Sequence, residues 1–164
     1  MTRPRTALLC CALALLAAGC GIRPTGVTDG GAAPSGVPQG MRIYFASDDG
    51  PRAVSRPGIT LTGLNDAFKL LAVGPTAQER AGGLANLVPT GTRFTATASH
   101  GTVTINAPDH LGASPQDPAT GQLVCTLARA EALLHGTPSD TVPVTIVSKA
   151  GRAGPYQCWQ FRQH

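Results

Sequence analysis

The sequence has no cluster of basic residues. Its lysines and arginines, 13 in all, are scattered singly among nine aspartates and glutamates, so the chain lacks the electrostatic footprint that nucleic acid requires. It also has no apolar run of bilayer length. Ala7 to Gly19 falls short of the roughly 20 residues needed to cross about 30 Å of hydrocarbon, and Gly- and Pro-rich sequence follows it. The four histidines, at 100, 110, 135 and 164, show no metal-ligand spacing such as two histidines one helical turn apart. There is no Gly-x-Ser-x-Gly elbow and no phosphate-binding loop. A wall hydrolase needs two placed carboxylates; Asp109 and Asp117 flank one loop, yet both adjoin prolines and read as turn and cap. Asp48 and Asp49 lack the spaced carboxylates and distal Glu of a calcium loop, and read as a turn. The expectation is a chain with no catalytic constellation, no metal and no cofactor.

What is present begins at the N-terminus. Arg3 and Arg5 precede an almost wholly apolar stretch from Ala7 to Ala17, and Ala18-Gly19 supplies small residues. That is the three-part layout of a secretory signal. The segment closes on Leu15-Leu16-Ala17-Ala18-Gly19-Cys20, which resembles the lipobox of bacterial lipoproteins. The resemblance implies that the Cys20 thiol is alkylated by a diacylglycerol and that the chain is cut just before it. One departure stands out: the family prefers Leu three residues before the Cys, where this chain has Ala17, with Leu16 one further back. Ordinary secretion with a free Cys20 is the alternative. Two or three acyl chains would hold the protein at the outer face of the cell membrane, because one chain alone anchors marginally.

Cleavage there would discard Arg3, Arg5, Cys10 and Cys11, leaving 11 basic against 9 acidic residues, a net charge of +2 in place of +4. If Cys20 is lipidated, Cys125 and Cys158 remain, and an oxidising compartment offers them one pairing. That bridge would stabilise the fold by about 3–4 kcal/mol on the loop-entropy description; two buried free thiols are the alternative. Gly21 to Gly40, rich in Gly, Pro, Ala, Ser and Thr, has no apolar period and cannot bury enough surface to order itself. As a coil it would span roughly 25 Å. The expected organisation is therefore a signal over 1–19, a lipidated Cys and tether over 20–40, and one domain over 41–164.

Within the domain, Met41 to Ala46 alternates as a first strand, and Arg52 to Ile59 reads as an irregular edge strand and loop. Leu64, Ala67, Phe68, Leu71 and Ala72 form one apolar stripe at helical spacing, with Thr62 as the expected N-cap and Gly74-Pro75 as the stop. Thr76 to Pro89 reads as a long connection anchored by Leu84, Leu87 and Val88. Arg93 to Asn106 is a hairpin turning at His100-Gly101. Asp117-Pro118 opens a second helix with a stripe of Leu123, Leu127, Ala130 and Leu134, closed by His135-Gly136. Val142 to Val147 is apolar on both faces and so reads as a central strand. Tyr156 to Phe161 reads as a last strand carrying Cys158 and a core Trp159.

Several of these segments occur in a recognisable order: Leu70-Leu71-Ala72-Val73-Gly74-Pro75-Thr76, then Leu87-Val88-Pro89-Thr90-Gly91-Thr92, then the hairpin with Gly101 and Val103, then Gln122-Leu123-Val124-Cys125-Thr126-Leu127. With Arg42-Ile43-Tyr44-Phe45 at the start, the order resembles the GerMN domain, the sporulation and spore-germination domain of many bacterial lipoproteins, over about Met41 to Val147. The resemblance implies a small α+β fold, here a mixed sheet of about four to five strands packed by two helices in the order β-α-β-β-α-β with a possible further strand. It implies kinship with ring-building domains of envelope machines, and no known catalysis. The chain departs from the family pattern at Cys125, where an aromatic is usual, and at Ala107-Pro108-Asp109-His110, where many members have a Leu-Ser segment. The Cys125–Cys158 pair would mark a subgroup with an extra C-terminal strand. The expected function is protein binding or complex assembly in the cell envelope, with membrane lipid as one partner through Cys20 and an unidentified envelope protein as another. Small-ligand binding in a pocket lined by Trp159 is the alternative, and an unrecognised cell-wall enzyme a more distant one.

Overall fold

The computed structural model describes residues 40–89, 91, 93–108 and 113–162. The export segment, Cys20 and the tether as far as Gln39 lie outside these residues, as do Asp109, His110 and His164.

Strands β1 (Met41–Ser47) and β2 (Gly50–Arg56) form an antiparallel hairpin. Asp48 and Asp49 make its turn, which Ser47 Oγ closes by donating to the Gly50 carbonyl at 2.7 Å. Where an irregular edge was expected, β2 is a regular strand, paired with β1 from Met41 opposite Arg56 to Ser47 opposite Gly50. Helices α1 (Asn65–Val73) and α2 (Ala77–Ala81) follow. Then come β3 (Thr95–Ser99), β4 (Thr102–Asn106) and the long helix α3 (Pro118–His135). A 3-10 turn at Ser139–Thr141 leads to β5 (Val144–Ser148) and β6 (Gly151–Tyr156), and a second 3-10 turn spans Cys158–Phe161.

The fold is α+β, as expected, but the strands divide into two sheets instead of one. The hairpin β1–β2 stands alone, and a four-stranded sheet runs β3-β4-β5-β6. Pairing in the latter is antiparallel, parallel, antiparallel. The parallel pair β4–β5 requires a crossover, and α3 supplies it.

α3 is the centre of the molecule. Every residue from Ala119 to Ala128 is buried, because the helix packs against β1 and the C-terminal 3-10 turn as well as against β4 and β5. A helix buried all round needs more than one apolar stripe. Accordingly Leu123, Val124, Leu127 and Ala128 join Val103, Ile105, Val144 and Ile146 and the inner residues Met41, Ile43 and Phe45 in one core. Its start matches the expectation. The Asp117 carboxylate accepts from Ala119 N at 3.1 Å, with Pro118 at the first turn, and Gly136 ends the helix in the left-handed conformation at φ 74°.

Close approach depends on Gly121. A Cβ there would lie 2.8 Å from Phe161 Cδ1 and 2.9 Å from Pro51 Cγ. The edge of β1 is met by side chain and backbone alike: Tyr44 N donates to the buried Thr126 Oγ1 at 3.0 Å, and Ala46 pairs with Ala85.

Five other expectations need correction. Thr62 does not cap α1; the residue before the helix, Leu64, has no side-chain cap, and Asp66 instead reaches back to accept from Thr62 N and Oγ1 at 2.9 and 2.6 Å. The connection after Gly74 contains α2, initiated by a Thr76–Glu79 capping box, and Leu87 is exposed while Leu84 and Val88 are buried. The last strand ends at Tyr156, so Cys158 and Trp159 sit on a 3-10 turn. Trp159 is 50% exposed, not a core residue.

Candidate functional site

The two cysteines of the domain are joined as a Cys125–Cys158 disulfide. Both are buried and pack with Tyr44 in a small cluster behind β1. The bond fastens α3 to the C-terminal 3-10 turn, where the sequence had suggested a strand.

Three of the segments that carry the family resemblance, those with Leu71, with Leu87 and Val88, and with Gln122, meet at one joint between α1 and α3. Gln122, fully buried on α3, accepts from Leu87 N at 3.1 Å and donates to Asn86 Oδ1 at 2.7 Å. Asn86 passes the chain on. Its Oδ1 also accepts from Val88 N at 3.1 Å, and its Nδ2 donates to the Leu71 carbonyl near the end of α1 at 2.9 Å. A buried amide is costly unless satisfied; that of Gln122 is satisfied here by the half-buried Asn86 and by Leu87 N. Beside this network Phe68, Leu71, Val88, Pro89 and Phe94 enclose a cavity of only about 40 Å³, room for little more than water. Phe68 and Phe94 stack across it at 5.4 Å. These residues build a structural joint. Sequence periodicity points to Leu71 and Phe68 but not to Asn86 or Gln122, whose pairing across 36 positions has no local signature.

A second joint holds α2 against β2. Arg56 grips Glu79 with two hydrogen bonds, at 2.7 and 2.8 Å, and its guanidinium lies 5.7 Å from the Phe45 ring centroid. Arg52 donates to the Gly82 carbonyl at 2.8 Å. The Arg56 hydrogen bonds hold the Glu79 carboxyl at about 2, aided by the Thr76 backbone N–H and opposed by desolvation. Lys69 and Thr62 hold the Asp66 carboxyl well below the usual carboxylate range.

An open groove of about 430 Å³ runs between the β1–β2 turn, the start of α3 and the C-terminal 3-10 turn. Its volume falls within the range of small-molecule and cofactor clefts. Asp48, Gln116 and Gln160 line it together with Pro51, Pro115, Pro118 and Phe161. Asp117 lies there too, with both oxygens engaged: Oδ1 accepts from Ala119 N and Oδ2 from Thr120 Oγ1 at 3.0 Å. Asp117 is therefore the cap that the sequence suggested. Trp159 stands on the same 3-10 turn as Gln160 and Phe161, its Nε1 donating to Gln157 Oε1 at 2.7 Å. It lines neither this groove nor a pocket between α3 and the sheet.

His100 sits in the β3–β4 turn at φ 51°, as its place before Gly101 suggested. His135 ends α3 and meets Glu131. Among the described residues no three His, Cys, Asp or Glu side chains are placed to hold a metal ion, and no helix is long and apolar enough to cross a membrane.

Fold and site together define a small α+β module organised around a buried helix and two polar joints. The chain belongs to the Germane family, described as sporulation and spore germination, whose model matches residues 42–142. No curated protein and no solved structure matches it.

Proposed function

We propose that the protein is a lipid-anchored, extracytoplasmic binding module with no catalysis of its own. The observation that carries the reading is the order of segments: an export-type apolar run ending at Ala18-Gly19-Cys20, a Gly- and Pro-rich stretch to Gly40, then a Germane domain. Acylation of Cys20 would hold the chain at the outer membrane face with stability that needs two or more acyl chains. The domain would then meet an envelope protein within reach of its tether. Residues of the kinds that do chemistry serve structure instead: Asp117 caps, Glu79 and Asp66 pair, and Gln122 and Asn86 bridge elements.

Photocrosslinking in intact cells tests this role, with the crosslinker placed at Gln116 or Gln160. Recovery of one discrete adduct supports it; recovery of monomer only, at every labelled position of the domain, counts against it. A second reading, small-ligand binding, is favoured by the open groove of about 430 Å³, whose Gln160 and Phe161 share a 3-10 turn with the half-exposed Trp159. A ligand there would change Trp159 fluorescence in purified protein without any partner.

A further inference from the structure

Glu131 and His135 lie one turn apart near the end of α3, and the Ala98–Gly101 turn comes over them. With Thr137 these residues wall an open pocket of about 190 Å³, on no part of which a Lys or Arg appears. The Glu131 side chain is 3% exposed. Its Oε1 is 3.0 Å from His135 Nδ1, while its Oε2 is buried and has no hydrogen-bond partner. A buried carboxylate oxygen left unmet is costly, and the cost falls when a donor arrives. The end of α3 adds its own negative partial charge, which favours a cation. Ser99 Oγ, already 2.9 Å from His100 Nδ1, and the Thr137 hydroxyl add polar wall.

We propose that this pocket binds a primary ammonium group, such as a lysine side chain or free amino group presented by an envelope partner, with Glu131 as its counter-charge. Three features select this chemistry. One carboxylate oxygen is taken by His135, so the bidentate fork that suits guanidinium is not offered, whereas an ammonium is a compact point charge with three donors. The described His, Cys, Asp and Glu side chains include no three placed for a metal. The pocket is smaller than the range for drug-sized ligands, which suits one side chain. Oε2 is buried, and the neighbouring His135 wall is 59% exposed.

The inference rests on the binding role proposed above and supplies its chemistry. It is tested on purified protein by NMR titration with Nα-acetyl-lysine amide, using the Nε-acetylated analogue as the control that lacks the charge. The expected result is saturable shifts at Ser99–Gly101, Glu131 and His135 with the amine and none with the analogue. Glu131→Gln, which keeps the shape, weakens binding about tenfold or more, as loss of a charge-assisted hydrogen bond should. Equal response to both compounds, no saturable response, or a response to zinc alone overturns the proposal. The two-compound comparison on the unaltered protein decides the matter even if Glu131→Gln fails to fold. A negative titration alongside a crosslinked partner in cells removes this site and leaves the binding role standing.

Discussion

Thr126 and Gly121 show what a single residue contributes here. The Thr126 hydroxyl is the acceptor for Tyr44 N inside a region closed to water. Replacing it with valine keeps the volume and strands that N–H, at a cost of about 1–3 kcal/mol. Urea unfolding with the disulfide intact should show that loss for Thr126→Val and little for Thr126→Ser. At Gly121, alanine would gain about 1 kcal/mol of helix propensity. The new methyl would, however, fall inside contact distance of Phe161 and Pro51, and overpacking costs about 1–3 kcal/mol. Phe161 is held edge-on by Tyr156 at 5.6 Å, so it has little freedom to yield. Gly121→Ala should therefore be net destabilising in the same unfolding measurement.

At the scale of elements, α2 depends on β2. The Arg56–Glu79 pair lies at the surface and keeps about one-fifth of its side-chain area in contact with solvent, which still screens it and holds its contribution to about 1 kcal/mol. Its sign with pH follows from the lowered Glu79 carboxyl. Stability from this group is complete above about 4.5 and is lost as the pH falls toward about 2. Asp66 acts in the same direction and further into acid. Glu79→Gln should flatten part of the fall in stability between those pH values, read from thermal melts at a series of acid pH. At the other end of the chain, reducing Cys125–Cys158 releases the 3-10 turn from α3. Stability should drop by about 3–4 kcal/mol on loop entropy, measured by denaturant titration with and without reductant.

These elements also explain what a sequence can reveal. β1, the β3–β4 hairpin, β5 and both ends of α3 are legible because alternation, a His-Gly turn and an Asp-Pro cap are local signals. β2 reads only as an irregular edge, since Gly50–Arg56 carries no alternating large apolars and becomes a regular strand by pairing with β1. α2 is too short to show a period, and only its Thr76-x-x-Glu79 box betrays it. Gly154 and Pro155 disguise β6, which pushed the expected strand past Tyr156 and Trp159 into the core. The depth of Gln122 and Glu131 comes from layers on several sides of α3, which one stripe on a helix cannot announce.

For the whole molecule, the described domain and the N-terminal 40 residues answer to different physics. The domain is held by a buried helix, a disulfide and polar joints. The segment before it is an apolar run that ends at Cys20, followed by Gly- and Pro-rich sequence. The proposal that joins them is attachment: the Germane domain works where Cys20 fixes it. Mass spectrometry of the N-terminal peptide of the protein, extracted from the membranes of cells producing the full chain, tests that most directly. The account predicts a peptide that begins at Cys20 and carries the mass of a diacylglycerol thioether. An unmodified Cys20, in a protein recovered free of the membrane, would contradict it.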